Sequence, residues 1–144
     1  MTQRNESHIL PFFSQDLFNL VLDVERYPEF LPWCLACRIR ERGEGYFIAD
    51  LAVGYKFFRE TFRSKVTYQD GIKIQVDYLS GPFHHLKNEW VFTPLSDSET
   101  QVDFMIDFEF KSGLLQAAIQ PLFDAAFLKM FDAFSKRAGE VISA

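Results

Sequence analysis

The sequence predicts an α+β fold in which a single antiparallel sheet curves around one long C-terminal helix. Three observations predict it. Most of the chain between residues 35 and 110 alternates apolar and polar side chains with period two, and the connections between these runs are short. From about Gly113 to Val141 the apolar residues recur at helical spacing over a face broader than a surface helix needs. A sheet with one apolar face must have it covered, and that C-terminal helix is the element available. At 144 residues the chain reads as one domain, 1–144, long enough to bury a core without disulfides or metal.

Taken in order, residues from roughly 4 to 12 form a weak strand candidate. A helix follows: Ser14 offers a cap for its first amides, Asp16 suits its first turn, and Leu17, Val21 and Val24 recur until Tyr27-Pro28 ends it. The stretch YPEFLPWC at 27–34 then sets Tyr27, Phe30, Leu31 and Trp33 around Pro28 and Pro32, where neither regular helix nor strand is expected. Two readings stand open for it: the lid and portal of a cavity, with Trp33 and Leu31 closing it or entering a membrane interface, or a plug that seals one end of a core.

Residues 35–42 are another weak strand candidate, and the next two runs are strong. In 46–55, Phe47, Ala49, Leu51, Val53 and Tyr55 share a face opposite Asp50 and Gly54; in 57–68, Phe58, Phe62, Val66 and Tyr68 oppose Arg59, Arg63 and Lys65. In 72–79, Ile72, Ile74, Val76 and Tyr78 alternate with Lys73, Gln75 and Asp77. Residues 86–95 are weaker, and in 100–110 Val102, Phe104, Ile106, Phe108 and Phe110 oppose Gln101, Asp103, Asp107 and Glu109. Asp70-Gly71 and SDSE at 96–99 carry turn chemistry. In the final helix Ile119, Phe123, Ala126, Met130 and Phe134 form a stripe widened by Leu122, Phe127 and Phe131, and Pro121 should bend the helix or start its main part.

Composition bounds the function. The chain has 17 Phe among 48% hydrophobic residues, more bulky apolar surface than one small core needs, so the interior is either a dry interdigitated core or an apolar cavity between sheet and helix. Net charge is −5, which disfavours general attraction to nucleic acid such as DNA or to anionic lipid headgroups, though a local patch can reverse that. The charge is two-sided, however: Arg26 to Lys65 holds 8 basic against 5 acidic residues, and Asp97 to Asp132 holds 7 acidic against 2 basic. No apolar run reaches the roughly 18–20 residues of a membrane span, and residues 1–10 lack a signal-peptide pattern, so an intracellular protein is expected.

Few constellations suggest chemistry. Cys34-Leu35-Ala36-Cys37 has no second ligand pair for zinc and leads into a strand rather than a helix, so it reads as two small thiols. His84-His85 follows a turn signal, points to opposite faces and has no metal-ligand spacing, so no metal site is expected. Glu60 falls between Phe58 and Phe62 on the apolar face, where a carboxylate is costly: it is a polar handle in a cavity, a residue turned outward by a bulge, or half of an ion pair. Asn88 is a similar case. No nucleophile elbow, phosphate loop or dinucleotide fingerprint is present, and no catalytic residue is assigned. Arg38, Arg40, Arg42, Arg59, Arg63 and Lys65 share outward faces, either as a basic surface or as cross-strand partners of Glu41, Asp50 and Asp77.

YPEFLPWC at 27–34, FRETF at 58–62, GPFHHLKNEWVF at 81–92 and VDFMIDFEFKSGLL at 102–115 together resemble the coenzyme Q-binding proteins of the START-like, polyketide cyclase superfamily, whose bacterial relatives are called ribosome association toxins. The resemblance implies a helix-grip fold: seven antiparallel strands curved around the C-terminal helix, with two short helices after the first strand. It also implies noncatalytic binding and delivery of ubiquinone, or a similar polyprenyl lipid, at the cytoplasmic face of a bacterial inner membrane in support of respiration. Two alternatives come with it, docking on the large ribosomal subunit through the basic face and a cyclase or dehydratase using Glu60. Expected ligand contacts are Leu31, Trp33, Leu51, Val53, Phe58, Glu60, Phe62, Val66, Ile74, Val76, Tyr78 and Trp90, continuing through Phe104, Ile106, Phe108, Leu122, Phe123, Phe127, Met130 and Phe134. Tyr27, Phe30, Leu31, Trp33 and Phe83 are the expected portal or membrane contacts. Tyr78, His84, Asn88 and Trp90 are candidate donors to the quinone carbonyls.

Overall fold

Seven strands form one antiparallel sheet: β1 (Thr2–Leu10), β2 (Cys34–Gly43), β3 (Tyr46–Tyr55), β4 (Phe58–Gln69), β5 (Lys73–Ser80), β6 (Phe83–Ser96) and β7 (Glu99–Phe110). Their order across the sheet is β1-β7-β6-β5-β4-β3-β2, so β2 to β7 make a local meander and only β1 crosses over, to pair with β7. Helix α1 (Ser14–Leu22) and a 3-10 helix (Val24–Glu29) lie between β1 and β2, and α2 (Gly113–Val141) follows β7. The computed structural model describes residues 2–31, 33–55 and 58–142, with side chains for 3–31, 33–54, 59–121 and 129–142. This is the helix-grip architecture that the sequence resemblance implied.

Period-two patterning becomes one-sided burial. Along β4, Phe62, Ser64 and Val66 are buried while Thr61, Arg63, Lys65 and Thr67 are exposed. Tight turns hold the meander in register. At the β5–β6 turn Gly81 adopts φ +141, and a side chain there would bring its Cβ within 2.7 Å of Phe62 Cβ, so only glycine lets the turn fold over the sheet. Ile72, expected within a strand, instead sits in the β4–β5 turn and is 55% exposed. Its amide donates to the Gln69 carbonyl and closes that turn.

The first helical segment differs from expectation at both ends. Phe13, not Ser14, occupies the N-cap position and no side chain caps the helix; Ser14 lies inside the first turn and is buried. The α-helix stops at Leu22, and Tyr27-Pro28 falls inside the 3-10 helix, whose tighter winding accommodates a proline. That 3-10 helix covers the free edge of β2, where the Ile39 amide donates to Glu25 Oε2 at 3.1 Å. Ser112 caps α2 through its hydroxyl, which accepts from the Leu115 amide at 3.1 Å, and Pro121 is carried inside a continuous helix.

One end of the grip is closed by α1. Phe18 is 1% exposed and meets Phe92 and Tyr68 edge-on at 5.7 and 6.3 Å. The C-terminal part of α2 joins this core through Phe134, whose ring lies 5.4 Å from Trp90, 5.5 Å from Tyr27 and 5.2 Å from Phe30. Arg137 of α2 pairs with Glu29 and covers the Phe30 ring, which ties the helix to the 3-10 segment. Toward the other end, Phe62, Phe83, Phe108 and Phe110 pack with Ile119 of α2 in a second cluster.

Candidate functional site

Between the concave sheet face and α2 lies an apolar cavity of about 270 Å³, partly open to solvent. Sheet and helix thus leave a void between them, as the cavity reading of the sequence expected. The floor comes from the inward positions of five strands: Ala49, Leu51 and Val53 of β3; Phe62, Ser64 and Val66 of β4; Ile74 and Val76 of β5; Leu86, Asn88 and Trp90 of β6; Phe104, Ile106, Phe108 and Phe110 of β7. Ile119, Met130 and Phe134 of α2 cover it, and Val21, Val24, Tyr27, Trp33 and Cys37 wall the side nearest α1.

Thirteen of the expected ligand contacts reach this void: Trp33, Leu51, Val53, Phe62, Val66, Ile74, Val76, Trp90, Phe104, Ile106, Phe108, Met130 and Phe134. Tyr27 and Phe83 of the expected portal line it too. Leu31 does not: it is 1% exposed within the packed core, while Tyr27 and Trp33 of the same segment reach the void. Phe30 is likewise turned onto Tyr27 and Phe134. Tyr78 faces inward, but its ring leans on Phe83 and its hydroxyl accepts the Phe83 amide at 3.1 Å, which holds it off the cavity wall. Glu60 sits half-buried opposite Val53 in the β3–β4 register and does not line the void. Phe58, Leu122, Phe123 and Phe127 lie outside the described side chains.

The cavity also recruits residues that sequence reasoning did not assign to it. Ala49, Ser64, Leu86 and Phe110 continue the same alternation as their assigned neighbours, so strict period two would have found them. Val21, Val24 and Cys37 arrive from other elements; the helical stripe marks the two valines as apolar-face residues, and nothing in the sequence ties any of the three to the cavity.

Polar groups at the wall are few and mostly engaged. Trp90 Nε1 donates to Asn88 Oδ1 at 3.1 Å, and Asn88 Nδ2 donates to the Met105 carbonyl at 2.8 Å, so of these two candidate donors the indole N–H is taken and Asn88 keeps one N–H. The Tyr27 hydroxyl donates to the Val21 carbonyl, and burial drives its pKa well above the ordinary phenol range. His84 is exposed, and His85 Nε2 meets Asp107 Oδ1 at 3.0 Å away from the cavity. Burial pushes the Cys34 thiol up to about 11 and the Cys37 thiol up to about 12, so both stay protonated and poorly nucleophilic near neutrality.

The convex face carries the two-sided charge. Arg40 Nε and Arg63 Nε each lie 2.7 Å from the Asp50 carboxylate, and chiefly the Arg63 hydrogen bond holds that carboxyl down at about 2. Of the two readings of the basic face, cross-strand pairing therefore applies to Arg40 and Arg63. Arg38, Arg59 and Lys65 remain exposed around them, and Lys65 lies over the Tyr46 ring at 4.7 Å.

A curved antiparallel meander closing on a C-terminal helix, with an apolar void between them, defines the START-like class of ligand-accommodating folds. The chain belongs to the polyketide cyclase / dehydrase and lipid transport family, whose model matches residues 11–135. It is 39% identical over 146 residues to the ribosome association toxin RatA of Rickettsia prowazekii, covering 99% of each chain. It is 30% identical over 141 residues to the mitochondrial coenzyme Q-binding protein COQ10 homolog B of Xenopus laevis, covering 95% of this chain and 58% of that one. The solution structure of the 18 kDa protein CC1736 from Caulobacter crescentus superposes with TM-score 0.81 at 37% identity, covering 100% of both chains.

Proposed function

We propose that this chain is a noncatalytic interaction protein that associates with ribosomes and carries an apolar ligand cavity at its centre. The observation that carries the ribosome reading is the whole-length similarity to proteins named for ribosome association, 33% identical over 141 residues in Vibrio cholerae as well as 39% in Rickettsia prowazekii. The convex face of β2 to β4 supplies a means: Arg38, Arg59 and Lys65 surround the Arg40–Asp50–Arg63 group and leave it net positive, as binding to RNA phosphates requires. Co-sedimentation with separated ribosomal subunits tests this. Binding to the large subunit should weaken steeply with salt, and changing Arg38 and Arg59 to Gln should flatten that dependence by about 0.7–0.9 in log–log slope for each phosphate no longer neutralised. Co-sedimentation that is unchanged by salt and by both substitutions would remove this face as the docking surface.

A second reading, delivery of ubiquinone or a related polyprenyl lipid at the cytoplasmic face of the inner membrane, is favoured by the cavity itself. Each buried methylene contributes about 0.8 kcal/mol, so a few isoprene units suffice for micromolar binding when the wall is as apolar as lipid. At about 270 Å³ the void holds a ring or a short chain, and a longer tail would leave through the open side. Among the described residues no helix is long and apolar enough to cross a membrane, so contact would be peripheral. Mass spectrometry of lipids extracted with the protein from its host tests this reading; absence of quinone, together with no saturable binding of a short-chain analogue, would sink it.

A further inference from the structure

Ser64 is 5% exposed, faces the cavity, and its hydroxyl makes no hydrogen bond to any described residue. The hydroxyl borders the void rather than packed protein, so its donor and lone pairs are open to whatever fills the cavity. The β4–β5 register shifts between Arg63 and Ser64, an irregularity of the kind that re-aims a side chain. Other polar groups at the wall already have protein partners: the Tyr27 hydroxyl is committed to the Val21 carbonyl, and the Trp90 indole to Asn88. Because Asn88 Oδ1 accepts from Trp90 and its Nδ2 donates to Met105, the amide orientation is set, leaving one N–H and one lone pair for anything in the cavity. None of the described residues lining the void carries a formal charge at neutral pH.

We propose that Ser64 is a specificity-determining anchor whose hydroxyl donates a hydrogen bond to a carbonyl or ether oxygen of a neutral, otherwise hydrocarbon ligand, with the spare Asn88 N–H as a second donor on the same floor. This deepens the cavity reading and rests on it. A carboxylate or phosphate headgroup is disfavoured there, since it would shed water with no described cation to meet it, whereas a compact oxygen acceptor satisfies Ser64 at small desolvation cost. Selection thus comes from one hydrogen bond in an apolar setting, and the rest of the wall contributes affinity without discrimination.

The test compares two probes of one shape on the full chain, 2-tridecanone and 2-methyl-1-tridecene, which differ by C=O against C=CH2. Binding is followed through the fluorescence of Trp33 and Trp90, both in the cavity wall. Ser64→Ala should shift the ketone-to-alkene affinity ratio about fivefold toward the alkene, and Ser64→Thr, which keeps the hydroxyl, should restore the wild-type ratio. Dodecanoate should bind the wild type more weakly than the ketone. An unchanged ratio in Ser64→Ala, or an equal weakening for both probes, overturns the anchor while leaving the cavity as a binding site. Failure of the wild type to bind either probe overturns the cavity reading and the anchor with it.

Discussion

The α1 end of the grip and the stretch beyond it are lined by the same kind of residue and behave differently. At the α1 end Phe18, Phe47, Phe92 and Val102 are almost fully buried, because α1 drives Phe18 into the curve of the sheet. Along the middle, Leu51, Val53 and Val76 face a void, and the aromatic rings nearby pack chiefly within the sheet: Phe83 stacks on Phe110 at 4.5 Å and meets Phe62 edge-on at 5.3 Å. An excess of phenylalanine therefore does not itself make a cavity. What decides is whether a second element delivers side chains into the concave face.

The largest effect is expected at the closed end. Phe18→Ala should cost about 3–5 kcal/mol in urea unfolding, because every side of the ring is packed and the site cannot collapse. Val53→Ala, at the void, should cost only about 1 kcal/mol, since the side chain borders empty space and loses fewer contacts. Equal costs at the two positions would mean that the void closes in solution.

A substitution that fills the void sharpens the contrast. Val76→Phe should reduce affinity for an apolar probe by about tenfold or more, about 1.4 kcal/mol, with stability changed by less than about 1 kcal/mol. Calorimetric titration and an unfolding curve on the same variant separate the two outcomes, and a large drop in stability would show that the space is not available.

The smallest effect is electrostatic and lies on the convex face. Asp50 has its carboxyl lowered from 3.8 to about 2, so its contribution is present in full above the ordinary value and is lost as pH falls through about 2. Its arginine partners are nearly half exposed, which limits the contribution to about 1 kcal/mol or less. Unfolding midpoints between pH 5 and pH 2 should fall less steeply in Asp50→Asn than in the wild type; parallel curves would count against the pairing.

Most of the fold was legible because a sheet with one buried face writes its period directly into the sequence: the alternation from Phe47 to Val53 and from Val102 to Phe110 can bury only one set of side chains. The site was legible to the extent that it reuses that face. Leu51, Val66, Ile106 and Phe108 follow from alternation, whereas Tyr78 follows it and still misses the wall because its ring leans toward Phe83. Leu31 and Phe30 look like portal residues in sequence, yet the winding of the 3-10 helix turns them into the core. Alternation places Ser64 on the inward face between Phe62 and Val66, but a small polar residue between two apolar ones reads as an interruption rather than a site.

By itself the sequence determined the elements, their antiparallel order and the supply of apolar surface, because these depend on local periodicity, turn chemistry and the burial of one face. Only the tertiary structure decided that the surface encloses a void, that Leu31 is buried in the core beside it, and that Ser64 lines it. Those outcomes depend on how far sheet curvature holds α2 from the floor and on where α1 ends, distances summed over many residues that no short stretch of chain encodes.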